Sequence, residues 1–170
     1  MSKKYQEPQG LNDVARFHET FDLPIIEEPK IPSPQRCALR VNLLQEELDE
    51  LKDAIADNDL VEVADALCDI QYVLSGAILE FGLADKFKEL FDEVQRSNMS
   101  KTCKTEEVAQ LTQKYYKDEK GTDSYVVKRG DEYLVYREGD SKVLKSVEYS
   151  PADIQGKLRS EEVSSTSNTK

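Results

Sequence analysis

Between Leu60 and Phe81 apolar residues recur at helical spacing. Leu60, Val63, Ala64, Leu67, Ile70, Leu74, Ile78 and Phe81 fall in one broad stripe, and Val61, Ala66, Cys68 and Val73 carry it round the flanks. The pattern predicts a central helix built for burial. Ahead of it, Cys37, Val41, Leu44, Leu48, Leu51 and Ile55 alternate steps of four and three, as on a bundle helix. Ser33-Pro34 supplies that helix with an N-cap and a first-turn proline, and it should run to about Asp57. Asn58-Asp59 is a short turn in which Asp59 can cap the central helix, so the two helices should be antiparallel neighbours.

The same reading extends along the chain. Residues before Gly10 form a loose lead-in, and Asn12 can cap a short helix with Val14, Phe17 and Phe21 on one face. His18, the single histidine, lies beside that face and has no triad pattern near it, which makes it structural or superficial. Pro24, Pro29 and Pro32 force an extended connection. Gly82 ends the central helix, and Asp85 can cap the next, where Phe87, Leu90, Phe91 and Val94 share a face. Thr105 can cap a further helix with Val108, Leu111 and Tyr115 on its apolar side. After Gly121 the period shortens. Tyr125 to Lys128, Tyr133 to Arg137 and Val143 to Val147 read as a three-stranded meander with Gly130 and Gly139 in its turns. Ser150-Pro151 opens a last helical segment reaching about Leu158. These signals divide the chain into a helical domain over 1–120, a small β appendage with a short helix over 121–160, and a disordered tail over 161–170.

Charge changes the picture of the central helix. Glu62, Asp65 and Asp69 lie on one line of it, continued by Tyr72 and Gly76. Glu47 and Glu50 lie just off the apolar face of the preceding helix, with Arg36 and Arg40 earlier on the same side, and Glu46 points further out. An antiparallel hairpin brings the two acid pairs to similar heights. No Lys, Arg or His occurs between Lys52 and Lys86. Carboxylates held from water need a pairing charge, a proton or a metal, and a hard divalent cation such as Mg²⁺ takes oxygen ligands. The other reading is that these acids face water.

The net charge of −11 argues against a nucleic-acid-binding surface, though a metal can bring a polyphosphate to an acidic site. Cys37, Cys68 and Cys103 form no C-x-x-C motif, and Cys37 and Cys68 occupy apolar helix positions expected in a core. The first residues lack the apolar stretch of a signal peptide, and no run reaches membrane-spanning length. A reduced, cytoplasmic setting is expected. The stretch Arg96-Ser97-Asn98-Met99-Ser100-Lys101 reads either as a phosphate-contacting loop or as a helix end whose cations complement the helix dipole.

The pattern Glu46-Glu47-x-x-Glu50, then Glu62-x-x-Asp65 on a second apolar helix, resembles the all-α nucleoside triphosphate pyrophosphohydrolase superfamily. The wording LLQEELDEL, VEVADALCDIQYVLSGA and RSNMSK is most similar to its MazG-like and phosphoribosyl-ATP-pyrophosphohydrolase-like branch, over roughly residues 17–116. The resemblance implies a mainly α fold, a MazG-like helical bundle with an oligomeric four-helix core, to which the β-meander is appended. It implies Mg²⁺, or Mn²⁺, held by Glu47, Glu50, Glu62 and Asp65. Glu46 would orient the attacking water, Arg96, Asn98 and Lys101 would meet phosphates, and Asp69 and Tyr72 would border the nucleotide. The implied reaction is hydrolysis of a (deoxy)nucleoside triphosphate to the monophosphate and pyrophosphate. Two alternatives stand beside it: a phosphoribosyl-ATP pyrophosphohydrolase, and a non-catalytic metal-binding oligomerisation module. A central helix apolar on more than one side predicts self-association as a homodimer or homotetramer, with no nucleic-acid or membrane partner.

Overall fold

A computed structural model describes residues 3–159. These form helices α1 (Gly10–Thr20), α2 (Pro34–Ala56), α3 (Leu60–Glu80), α4 (Ala84–Met99), α5 (Glu106–Lys120) and α6 (Ile154–Arg159), with strands β1 (Ser124–Arg129) and β2 (Glu132–Arg137). The chain is mainly helical with a small C-terminal sheet, consistent with the MazG-like helical bundle that the resemblance implies. No single helix among the described residues is long and apolar enough to cross a membrane.

Local chemistry sets most of the boundaries. Ser33 Oγ accepts from the Arg36 amide at 3.4 Å, with Pro34 at the first helical position of α2. Asp59 Oδ1 accepts from the amides of Val61 and Glu62 at 2.9 and 3.2 Å, which opens α3. Thr105 Oγ1 accepts from the Val108 amide at 3.3 Å, which opens α5. At the end of α3, Gly82 adopts φ +67°, the Leu83 amide reaches the Ile78 carbonyl at 3.0 Å and the Gly82 amide reaches that of Leu79 at 3.2 Å. This is a Schellman ending, and a Cβ on Gly82 would stand 2.1 Å from the Glu28 carbonyl oxygen. The proline-rich connection completes the same helix end, since Ile26 and Lys30 donate to the carbonyls of Leu79 and Phe81.

Two caps fall elsewhere than the sequence suggests. Helix α1 starts at Gly10 with Gln9 as N-cap and no side-chain cap, so Asn12 lies inside it. Asp85 sits in the first turn of α4 rather than before it.

Two compact units divide between Lys88 and Glu89, within α4. In the first unit α3 packs against both α1 and α2. Its buried side chains include Val14, Ala54, Ala66, Ile78 and Leu79. The N-terminal half of α3 is covered chiefly along one side, so Leu60, Val61, Leu67 and Cys68 are exposed in the single chain, as are Val41 and Ile55 of α2. Cys68 therefore is not the core residue its position suggests.

The second unit has its own core. Helix α5 packs on both strands, and Cys103 exchanges two backbone hydrogen bonds of 2.8 Å with Tyr133 of β2. Cys103, Ala109, Val135 and Leu144 form its core, with Val108, Tyr116, Val126 and Tyr133 packed around them. The sheet has two antiparallel strands, in register Ser124↔Arg137 to Arg129↔Glu132, not three. Residues 143–147 make one bridge, Tyr136↔Val143, and one amide bond from Leu144 to Val135. Beyond that point, side chains of α5 replace the ladder: the Lys145 amide goes to the Tyr116 hydroxyl at 3.2 Å and the Val147 amide to Thr112 Oγ1 at 3.1 Å. The final helix begins at Ile154, three residues after Pro151, and the tail expected at 161–170 lies outside the described residues.

Candidate functional site

The antiparallel pairing of α2 and α3 sets a carboxylate cluster in the first unit. Glu47 is half-buried on α2, and its Oε2 is one of two buried side-chain oxygens or nitrogens without a hydrogen-bond partner among the described residues. Burial raises the Glu47 carboxyl above the ordinary range, and Glu50, Asp69, Glu46 and Asp65 raise it further, in that order. So residues drawn from one turn of α2 and two turns of α3 act on one carboxylate. Glu62, nearer the start of α3, is not one of these four. Asp69, which the resemblance places at the border of the nucleotide, is second only to Glu50 among the charges on Glu47.

Glu46, Glu50, Glu62, Asp65 and Asp69 are exposed, and Tyr72 is partly so. No cation is paired with any of these acids among the described residues. The donor chemistry suits a hard cation, being all carboxylate oxygen, with one oxygen already buried and unpartnered. The carboxylates nevertheless stand apart, as like charges do. Among the described residues no three His, Cys, Asp or Glu side chains converge tightly enough to ligate one ion.

The nearby cations of this unit are committed elsewhere. Arg36 and Arg40 both donate to the carboxylate of Glu80, which is 1% exposed. Burial pushes the Glu80 carboxyl up, but hydrogen bonds from the two arginines outweigh it and hold it below the ordinary range. His18, also 1% exposed, joins this group. Its Nδ1 lies 2.9 Å from the Pro24 carbonyl and its Nε2 lies 3.2 Å from Nη2 of Arg40. A carbonyl only accepts and a guanidinium only donates, so the proton sits on Nδ1. His18 is structural, and it ties the proline-rich connection to α2. Sequence spacing placed Arg36 and Arg40 on the acid side of α2 but carried no sign of Glu80, some forty residues away.

The three residues expected to meet phosphates lie in the second unit. Arg96 makes two hydrogen bonds of 2.8 Å to Glu93 and one of 3.0 Å to the Pro151 carbonyl. Glu93 also accepts from the Asp153 amide at 2.8 Å, and its carboxyl is pulled down to about 2 by Arg96 first and that amide second. Lys101 Nζ donates to Asn98 Oδ1 at 2.8 Å, so these two stand together without a carboxylate between them. Lys145 Nζ sits 4.2 Å from the centre of the Tyr149 ring, and Ser97 donates to the Tyr149 hydroxyl at 3.0 Å.

Comparison with known sequences covers this region. Residues 14–98, half of the chain, match the family described as phosphoribosyl-ATP pyrophosphohydrolase. An uncharacterized protein of Acanthamoeba polyphaga mimivirus is 26% identical, in an alignment covering 78% of this chain and 89% of the viral protein. The matched family span contains every acid of the cluster, together with Arg96 and Asn98, and ends three residues before Lys101.

Proposed function

Because the chain belongs to the phosphoribosyl-ATP pyrophosphohydrolase family, we propose that its acid cluster hydrolyses a (deoxy)nucleoside triphosphate to the monophosphate and pyrophosphate. Family membership supports a nucleotide pyrophosphohydrolase activity, and the family generally depends on a divalent metal. The observation that carries the reading to this site is the buried, unpartnered Oε2 of Glu47 among Glu50, Asp69, Glu46 and Asp65.

Glu47, Glu50, Glu62 and Asp65 are the proposed holders of Mg²⁺ or Mn²⁺, and Asp69 joins them as a further carboxylate acting on Glu47. When bound, the cation would supply positive charge against the phosphate oxygens and make water a better nucleophile. Glu47, the least exposed of these carboxylates, would take the proton from the attacking water. Glu46, exposed beside it, would orient that water. Water adds to phosphorus, the anhydride between the α- and β-phosphates breaks, and pyrophosphate leaves. Asn98 and Lys101 are proposed contacts for phosphate oxygens. Arg96 is proposed with them, although Glu93 already matches its charge.

Phosphoribosyl-ATP is the second reading, favoured by the description of the matched family. Self-association is proposed from the exposed Val41, Ile55, Leu60, Val61 and Leu67, which a second copy would cover. A monomer in light scattering at micromolar concentration would refute that last point.

The deciding experiment is pyrophosphate release from ribo- and deoxynucleoside triphosphates and phosphoribosyl-ATP, with Mg²⁺, Mn²⁺ or EDTA. Metal-dependent release that is lost in Glu47→Gln supports the reading and ranks the substrates. A folded, metal-binding protein that releases pyrophosphate from none of them overturns it.

A further inference from the structure

Residues of α2 and α3 face each other in one unbroken register. Arg36, near the start of α2, meets Glu80 at the end of α3, with Nε donating to Oε2 at 2.9 Å. Four residues on, Arg40 lies over Gly76, four residues back, where a Cβ would stand 2.6 Å from its Nη1. Three on and three back, Leu43 and Val73 line the same cavity. Four more in each direction bring Glu47 opposite Asp69, whose charge acts on it. The guanidinium of Arg40 and the acid cluster therefore belong to one antiparallel seam, two helical turns or about 10 Å apart.

Apolar side chains alone mark a register weakly, since residues of about the right size repack and lose uniqueness before they lose stability. The buried ions are more exacting. A slip of one turn, about 5.4 Å, would bring Tyr72 or Glu80 in place of Gly76 against Arg40. The same slip would set Asp65 or Val73 in place of Asp69 against Glu47. Glu80, buried at the end of α3, takes hydrogen bonds from both arginines, and Arg40 is itself buried. Buried ionic groups of this sort are often replaceable by apolar residues without loss of stability, and their best-attested use is to fix register.

We propose that Arg36, Arg40 and Glu80 are positioning residues: with Gly76 they lock α2 against α3 in the register that sets Asp69 across from Glu47, with Asp65 a turn away, and so preassemble the metal site. The inference rests on the reading of the acid cluster as a metal site. Without the lock the hairpin samples shifted registers, and cation affinity falls in proportion to the fraction of chains in the binding register.

The test replaces the ions by apolar residues, in Arg36→Met/Arg40→Met/Glu80→Leu, and reads two quantities besides melting temperature. Mn²⁺ binding is followed by electron paramagnetic resonance, and the register by nuclear Overhauser contacts between the methyl groups of Leu43 and Val73. The wild type should show those contacts. The variant should stay folded, lose them and bind Mn²⁺ at least tenfold more weakly, as when about one chain in ten holds the competent register. Val14→Ala, which thins the core at α1, should lower the melting temperature and move neither reading, as a merely structural role for the ions would not predict. If the triple variant does not fold, Gly76→Ala, which keeps all three charges and displaces Arg40, is read in the same way. Wild-type Mn²⁺ affinity or unchanged methyl contacts in the folded variant, or an equal loss of affinity in Val14→Ala, overturns the proposal. If the wild type binds no Mn²⁺, the metal reading of the acid cluster fails. The lock is then judged by the methyl contacts alone: their loss upholds it and their persistence sinks it.

Discussion

A Cβ placed on Gly76 would stand 2.6 Å from Nη1 of Arg40. The absence of a side chain at this point of α3 is what lets the guanidinium lie flat against the helix, within reach of both His18 and Glu80. Gly76→Ala should therefore displace Arg40. Overpacking of this kind costs about 1–3 kcal/mol, against which the better helix propensity of alanine returns at most ~1 kcal/mol. Thermal denaturation of the variant should show a lower midpoint, and an unchanged one would mean that the guanidinium has room to move.

Glu80 balances two arginines from inside the first unit. Glu80→Gln keeps the shape and removes the charge, leaving Arg36 and Arg40 without a counter-ion. Breaking a buried ion pair from one side typically costs about 3–5 kcal/mol. Urea titration should show that loss, whereas the exposed pair of Lys52 with Asp49 should show almost none when Asp49 is replaced by asparagine.

Glu47 should behave in the opposite sense. Its carboxyl titrates above the ordinary range when folded, because it is partly buried and because Glu50, Asp69, Glu46 and Asp65 surround it. The ionised form is thus disfavoured in the folded chain at neutral pH, and the cost disappears once the pH falls below the unfolded value. Metal-free Glu47→Gln should melt at a higher temperature than wild type at pH 7 and at nearly the same temperature near pH 4. If the residue serves catalysis as proposed, the same variant should lose pyrophosphate release.

Acid should loosen the second unit through Glu93. Its carboxyl moves from an ordinary 4.5 to about 2 in the folded chain. A lowered carboxylate contributes stability that is fully present above about pH 4.5 and is lost as the pH falls toward 2. Replacing Glu93 with glutamine should flatten that part of the stability profile, measured by melting temperature between pH 6 and 2. A profile of unchanged steepness would show that other carboxylates govern it.

What the sequence discloses follows from how far apart the interacting residues lie. Ser33, Asp59 and Thr105 cap helices whose amides are two or three residues away, and Gly82 ends α3 through bonds closed within five residues, so short motifs reveal them. The line of Asp65 and Asp69 on α3 and the hairpin with Glu47 are legible for the same reason: helical periodicity and a short turn fix both. The union of Glu80 with Arg36 and Arg40 is not, because nothing local marks a carboxylate whose partners lie forty residues earlier. Nor is the loss of the third strand. Val143 to Val147 has strand composition, but Tyr116 and Thr112 of α5 take the amides of Lys145 and Val147 that a ladder would have used. Cys68 illustrates the remaining gap, since periodicity identifies an apolar face without saying whether the same chain covers it.

The paired hydrogen bonds between Cys103 and Tyr133 have a consequence for the order of events on the ribosome. All of α5 emerges before β2, and Leu144, which helps close the core, emerges later still. At a synthesis rate of about 5–20 residues per second, the Cys103 backbone waits seconds for its partner. During that interval Ala109 and Cys103 remain wet. The first unit is under no such delay, because the carboxylate and arginines that close it have all been made by Glu80. Nascent chains should therefore protect α1 to α3 from protease before any part of α5.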